Sequence, residues 1–422
     1  MNLLRSVKLF YIVYTIYTVM VLSISNYKLV YAVTGLLAMW ITYFFFWLGW
    51  NWRTEKSYNG SLLKNDSTFF KMDTWKNWKY LLNSIICVTF SILAAKYYTG
   101  RDFISVINGA LNGGNLYNLY QNYFMNSELG VFSLKKIPYI LMLTYITAVL
   151  FISYVSIIQI NKKIKGIQVF YLCCVTFSQI YFGFARGTNF EIYIVFILLA
   201  FTLLNKKSKN QNQKLNYKAI VIVAILGVIM LVIYRAVVMD RGVKIGTYIC
   251  KEIEFDYDSY IVNAFPIITN VIASVFSYLG YGIYEIGVSF LDNVLSNVLY
   301  MMGTLVANGN YLFNGKGLPD MLRSTIDVNV NWVPDFIILI DMFGIILFIL
   351  FIMLVGHIIS NFNENKYPVI LVNVVRLLTF IEMLSLPVGN FLITSTPIKL
   401  FVLLIILKSV ILRFKIKVLI KR

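Results

Sequence analysis

Residues 137–187 read IPYILMLTYITAVLFISYVSIIQINKKIKGIQVFYLCCVTFSQIYFGFARG. Two apolar runs, 137–160 and 167–185, flank the connector NKKIKG, and the second run closes on Arg186. At 1.5 Å rise per residue, an apolar run of ~20 residues matches the ~30 Å hydrocarbon core of a bilayer. Lysine-rich connectors stay on the cytoplasmic side, so NKKIKG faces the cytosol and FARG faces the opposite side.

Outward from this pair the same alternation continues in both directions. The pattern predicts membrane helices at 7–24, 29–50, 80–98, 137–160, 167–185, 190–204, 219–239, 336–360, 368–388 and 391–411. The run at 190–204 is short and has room to extend back through the preceding turn. The fold class is therefore an all-α polytopic membrane protein of about ten (10–12) spans. Both chain ends fall in the cytoplasm, because Arg5 and Lys8, the Lys-rich stretches 53–79 and 206–218, Lys366 and the basic tail from Arg413 all lie on one side. The start of the chain has no small-residue cleavage site and reads as a retained anchor helix.

Composition supports this frame. Hydrophobic residues make up 59% of the 422 and charged residues only 13%, with mean hydropathy +0.74. An ordinary soluble domain carries ~25% charge. The net charge of +18 would suggest nucleic acid in a soluble protein, but here topology accounts for it, and no nucleic-acid partner is expected. The four cysteines show no CxxC or Cys/His spacing, so neither a disulfide frame nor a metal site is indicated. The one histidine, His357, lies near the cytoplasmic end of its helix and is no candidate base on the other side.

The whole chain, 1–422, reads as one integral membrane domain with two long non-cytoplasmic segments, 99–136 and 240–335. Loops of that length are uncommon unless functional. The second is rich in Tyr, Phe, Val and Ile. Its stretches 262–282 and 285–306 are expected as surface or re-entrant helices, with a further membrane pair as the alternative. A single extra span would invert everything after it.

Arg101, Arg186, Arg235, Arg241 and Arg323 sit on the non-cytoplasmic side, where the charge bias does not call for them. A guanidinium is permanently charged and presents a planar fork of donors that fits phosphate oxygens. The competing reading is snorkelling to the headgroups and pairing with nearby acids such as Glu191 or Asp240. Arg376 lies inside an apolar run, where charge is costly and faces a cavity or a partner; Asp341 and Glu382 are the candidate partners. Tyr257, Tyr260, Tyr278, Tyr281, Tyr284 and Trp332 suit stacking on sugar rings, against the alternative of an interfacial aromatic belt. No P-loop, GxSxG or HExxH motif is present.

With these residues in place, the chain resembles the Wzy-type O-antigen and capsule repeat-unit polymerases of the O-antigen polymerase and ligase superfamily. FARGTNFEIY resembles the family's Ser-Arg-Gly-like connector, with Arg186 on its arginine and Ala185 where serine is common. Arg235 through Gly246 fits an arginine-ten-glycine spacing. NVNWVPDFIILIDMFGIILFILF resembles the stretch that closes the large loop, with Asn331, Asp341 and Gly344 on recurrent positions. Ligases of the superfamily carry histidine beside that asparagine, whereas here the neighbours are Val330 and Trp332.

The resemblance implies a GT-C-like fold and an enzyme, a glycosyltransferase without cofactor or metal. It would join undecaprenyl-pyrophosphate-linked oligosaccharides on the outer face of a bacterial cytoplasmic membrane, in O-antigen (lipopolysaccharide) or capsule biosynthesis. Arg186, Arg235 and Arg241 would stabilise the leaving pyrophosphate, with Asp240, Glu285 or Asp335 as acid-base candidates. Arg101, Arg323, Arg376, Tyr281, Tyr284, Glu285 and Trp332 would contact substrate. The lipid bilayer is a partner in this reading, and a chain-length regulator protein is a further one. The alternatives are a lipid-linked oligosaccharide flippase and a ligase-type transferase.

Overall fold

The computed structural model describes residues 3–26, 28–52, 75–111, 116–127, 133–159, 165–188, 190–205, 248–250, 253–254, 256, 258–266, 269, 272, 281–291, 334–362, 367–389 and 395–421. The span expected at 219–239 lies outside them. So do Arg235, Asp240, Arg241, Tyr257, Tyr278, Arg323, Asn331 and Trp332, and the side chains of Tyr281 and Asp341.

The described secondary structure is helical, with one departure from an all-α reading. Tyr248–Cys250 and Ile253–Glu254 (β1 and β2) form a two-stranded antiparallel ribbon in which Tyr248 faces Glu254 and Cys250 faces Ile253. Tyr, Ile and Cys suit a pleated strand better than a helix there. Six helical stretches are long and apolar enough to cross a membrane: Leu3–Leu22, Leu29–Asn51, Asn77–Thr99, Leu134–Ser156, Gly166–Arg186 and Phe343–Asn361. The chain divides into two compact units.

The first unit covers 1–59, 245–363 and 378–393. It holds α1 (Leu3–Leu22), α2 (Leu29–Asn51), β1, β2, α9 (Tyr260–Ala264), α10 (Tyr281–Ser289), α11 (Asp335–Asn361) and residues 378–385 of α12 (Val369–Ser385). Lipid is as apolar as leucine, so membrane helices adhere through close backbone approach at small residues. That rule organises α2. A Cβ on Gly49 would lie 1.9 Å from the Met353 carbonyl oxygen, and one on Gly356 would lie 2.4 Å from the Phe46 oxygen, so α2 and α11 meet backbone to backbone. Nearer its start, α2 meets α10 in the same way: a Cβ on Gly35 would lie 2.0 Å from Ile283 O, and one on Gly287 would lie 2.0 Å from Tyr31 O. Gly282 through Gly287 of α10 are all buried. The described part of 285–306 is thus a core element clamped on α2, not a helix lying on the surface.

α11 is not one straight rod, as the expected span 336–360 would have it. Gly344 breaks it with φ 71° and ψ 168°, a conformation open in practice only to glycine. Phe343–Asn361 is the part long and apolar enough to cross, and residues 335–343 form a separate half-helix before the break. Phe336 N–H donates to Leu386 O at 2.9 Å, which ties this half-helix to the turn that ends α12.

The second unit covers 60–244, 364–377 and 394–422. It holds α3 (Asn77–Thr99), α4 (Phe103–Leu111), α5 (Leu116–Asn126), α6 (Ile137–Gln159), α7 (Gly166–Arg186), α8 (Phe190–Asn205), residues 369–377 of α12, and α13 (Thr396–Lys421). α3 and α7 form its closest pair. Ser91 Oγ donates to Ser178 O, Gln168 Nε2 donates to Tyr80 Oη at 3.1 Å, and Tyr80 packs edge-on against Tyr171 at 5.5 Å. Their shared core is Ala94, Ala95, Val106, Leu143, Ile146, Tyr181, Phe182 and Ala185. The segment 99–136, expected only as a loop, carries α4 and α5. α8 does not extend back through the turn before it, because Gly187 ends α7 and redirects the chain.

Candidate functional site

The FARGTNFE connector is built from the end of α7 upward. Gly187 takes φ 62°. Its N–H donates to Phe184 O at 3.0 Å, and Thr188 N–H donates to Gly183 O at 2.9 Å. This pair of bonds is a Schellman motif, and the left-handed residue it needs is nearly free only for glycine. The turn brings the first turn of α8 back onto α7. There Glu191 meets the positive end of the α8 dipole. Gly183 leaves room for it: a Cβ there would lie 3.0 Å from Glu191 Cβ.

Arg186 is held in this elbow. Its Nη1 lies 2.9 Å from Glu191 Oε1, and Thr188 Oγ1 donates to Glu191 Oε2 at 2.7 Å. Glu191 is 4% exposed and Arg186 27%. The guanidinium also lies over two rings, with Cζ 5.1 Å from the Tyr120 centroid and 5.3 Å from that of Phe182. Both contacts are cation–π geometry. Arg186 Nε is buried without a hydrogen-bond partner. Pairing with Glu191, the competing reading of this arginine, is therefore present. It engages Nη1 and leaves the Nε–H unused.

α5 seals the elbow. A Cβ on Gly187 would lie 2.5 Å from Tyr117 N, so α5 rests directly on the turn. At the end of α3, Lys96 forms an exposed ion pair with Asp102 at 2.8 Å, of a kind worth little energetically. Partial burial lowers the pKa of Arg101 from the ordinary arginine value, yet an arginine remains charged at any physiological pH.

A second polar cluster lies in the first unit. Asp335, the first residue of α11, is 0% exposed and accepts a hydrogen bond from Ser385 Oγ at 2.9 Å. Glu382, one turn before Ser385, has Oε2 buried without a hydrogen-bond partner and interacts electrostatically with Asp335. Tyr11 Oη donates to Met383 O at 2.9 Å beside them. Neither the Asp335–Ser385 contact nor the orphan oxygen of Glu382 could be seen in the sequence, because fifty residues separate the first pair.

The other expected site residues separate by environment. Glu285 and Tyr284 are buried on α10, and Tyr284 packs edge-on against Tyr31 at 5.5 Å. Tyr284 is thus a core residue and not an open sugar platform, while Tyr260 is 81% exposed. Arg376 is half-buried in α12. His357 Nδ1 lies 2.8 Å from the carbonyl of Trp52, at the end of α2, and serves to close that helix. Among the described residues, no group of three or more His, Cys, Asp or Glu is arranged to hold a metal ion.

Comparison with known proteins gives no family model, no curated protein and no solved structure that matches this chain.

Proposed function

We propose that the chain is a polymerase of lipid-linked oligosaccharide repeat units, as the resemblance to Wzy-type polymerases implies. In this reading it has about ten spans, cytoplasmic ends, and its working face on the outer side of a bacterial cytoplasmic membrane. The growing glycan leaves its undecaprenyl pyrophosphate. The bond from sugar C1 to the phosphate oxygen breaks, a bond from C1 to a hydroxyl of the incoming repeat unit forms, and that hydroxyl loses its proton. Negative charge builds on the departing pyrophosphate, and a fixed cation binds it more tightly in the transition state than in the ground state.

The observation that carries the reading is Arg186. A guanidinium is anchored by a buried carboxylate, laid on Tyr120 and Phe182, and left with a free Nε–H at one end of a bilayer-long helix. Arg235 and Arg241 complete the clamp in this proposal, with Arg101, Arg323 and Arg376 as further phosphate or sugar contacts. Acid-base work falls more naturally to Asp240 than to Asp335 or Glu285, which the fold encloses. The test is reconstitution with a lipid-linked repeat unit, scored for a ladder of longer glycans. Arg186→Ala removes the ladder if the proposal holds. A wild-type ladder from Arg186→Ala overturns the clamp.

One observation favours a second reading, a flippase for the same lipid. Buried Asp335 and Ser385, with the buried Oε2 of Glu382, lie in the unit whose α11 is broken at Gly344. Enclosed charge and discontinuous helices are features of transporter interiors. Translocation of the lipid without a ladder selects that reading.

A further inference from the structure

α4 and α5 each divide into three sectors around the helix axis. Neither helix carries a charged residue, although helices that face water ordinarily carry charge on their outer side. Val106 is buried on α4, and Leu116 and Tyr120 are buried on α5. At about 100° per residue, half-buried Phe103 and Ile107 and exposed Ile104 fall on one flank of α4, and exposed Ser105 and Asn108 form a polar strip beyond them. On α5, Leu119 and Tyr123 lie one turn apart on one flank, and Asn118, Asn122 and Asn126 form the strip beside it. Ile104 is 71% exposed and Leu119 49%. Each helix therefore has an inward side, an apolar flank and an uncharged polar strip, which suits an element with protein, lipid and water on three sides. Met125, across the strip, is a single exposed apolar side chain and needs no partner of its own.

We infer that α4 and α5 lie in the membrane–water boundary, with Ile104, Leu119 and Tyr123 in the upper acyl region and the polar strips in the headgroup layer. Continuity with the spans selects lipid. The Tyr123 ring abuts Gly100 at the end of α3, where a Cβ would lie 2.7 Å from Tyr123 Cε2. One turn before Gly100, Tyr97 stacks on Tyr139 of α6 at 3.9 Å, and tyrosines at span ends mark the interfacial belt. At the same end, α6 and the turn before it expose an apolar stripe of Leu134, Ile137 and Leu141, and Leu134 begins the stretch long and apolar enough to cross. Leu119 and Tyr123 thus sit at the height where the lipid-facing surface starts. Charge agrees with this seat. Arg101 before α4 and Lys135 before α6 are cations suited to the headgroup layer, while the exposed carboxylate of Asp102 is matched by Lys96 at 2.8 Å. A second protein is a poorer occupant, because the asparagine strip leaves narrow apolar flanks where a protein interface needs a contiguous patch. α5 also rests on Gly187 and carries Tyr120 against the Arg186 guanidinium, so Arg186 is held at the depth of lipid phosphates. The inference concerns the seat of this segment and does not rest on the polymerase reading.

The test uses the full chain, made cysteine-free, in nanodiscs of phosphatidylcholine and phosphatidylglycerol. A nitroxide is attached in turn at Ile104→Cys, Leu119→Cys, Asn108→Cys and Asn122→Cys. Its collisions with oxygen, which concentrates in lipid, are compared with those of an aqueous nickel chelate. All four sites are exposed, so the labelled chains should melt with the unlabelled one. The ratio of oxygen to chelate collisions should be several-fold higher at Ile104 and Leu119 than at Asn108 and Asn122. Chelate in excess at all four sites puts the segment in water and overturns the inference. Oxygen in excess at all four puts it within the hydrocarbon and overturns it too. Labels at Ile104 and Leu119 that neither reagent reaches reveal a covering protein, with the same consequence. Should a labelled chain fail to accumulate, Ile104→Trp and Asn108→Trp keep the contrast: acyl-brominated lipid should quench only the first, and equal quenching overturns the inference. A missing glycan ladder from wild type together with the expected contrast removes the polymerase and leaves this seat standing. A normal ladder without the contrast does the reverse.

Discussion

The arginine elbow separates a structural role from a functional one. Arg186→Ala strands Glu191, which is 4% exposed, as an uncompensated charge, at a cost of about 3–5 kcal/mol. Glu191→Gln on top of it removes that charge. The double variant should therefore melt above Arg186→Ala alone while still making no glycan ladder. Recovery of both together would reduce Arg186 to a structural residue. Gly187 gives a second prediction. Its φ of 62° costs an alanine about 1–2 kcal/mol, and the added Cβ would press on Tyr117 N at 2.5 Å. Asparagine tolerates the dihedral but not the contact, so Gly187→Asn should be nearly as destabilised as Gly187→Ala in thermal unfolding. Full rescue by asparagine would show that α5 does not rest on the turn. At this scale the sequence was informative where partners are local. Arg186 and Glu191 stand five apart and were legible as a pair, whereas Ser385 and Asp335 meet only because two helix ends dock.

The helices themselves were largely legible because their boundaries follow from where apolar runs stop. The expected 80–98 and 167–185 became Asn77–Thr99 and Gly166–Arg186. Two features escaped this reading for one physical reason. In a run that is apolar all round, periodicity does not show which face packs, so the seat of α10 on α2 and the break at Gly344 leave no pattern beyond the glycines themselves. Those glycines carry the next prediction. Gly49→Ala would place a Cβ 1.9 Å from Met353 O and 2.7 Å from Met353 C. Backbone cannot swing aside as a side chain can, so α2 and α11 must separate. Gly166 is the matched control, with nothing within 4 Å of its added Cβ. Gly166→Ala should leave the melting temperature within error, and Gly49→Ala should lower it sharply or prevent accumulation in the membrane. Gly344→Ala should cost about 1–3 kcal/mol from dihedral strain alone. Equal behaviour of all three variants would mean that helix approach in this chain does not depend on small residues.

At the scale of the whole molecule, contacts within each unit sort the connections by end without saying which side of the membrane each end faces. In the first unit, Asp256 N–H donates to Ile24 O at 3.0 Å and Ser259 Oγ donates to Ser23 O at 3.0 Å, which sets Asp256 and Ser259 on the α1–α2 turn. A Cβ on Gly282 would lie 3.2 Å from Pro334 Cγ, and Gly287 meets Tyr31, so the start of α11 sits at that same end. His357 and Trp52 meet at the other. Asp256 and Asp335, both within 240–335, therefore share one side. In the second unit Tyr117 lies on Gly187 and Tyr123 on Gly100, so α5 and the arginine elbow share a side as well. The lysine bias predicts the orientation. In a cysteine-free background, Ser127→Cys and Asp258→Cys should react with an impermeant maleimide in intact cells. Lys163→Cys and Lys209→Cys should react only after permeabilisation. The opposite pattern would put Arg186 and α5 in the cytosol, away from any lipid-linked glycan awaiting extension, and the polymerase proposal would fall. A split pattern, with Ser127→Cys outside and Asp258→Cys inside, would leave the elbow where the reaction needs it and remove the 240–335 segment from the reaction.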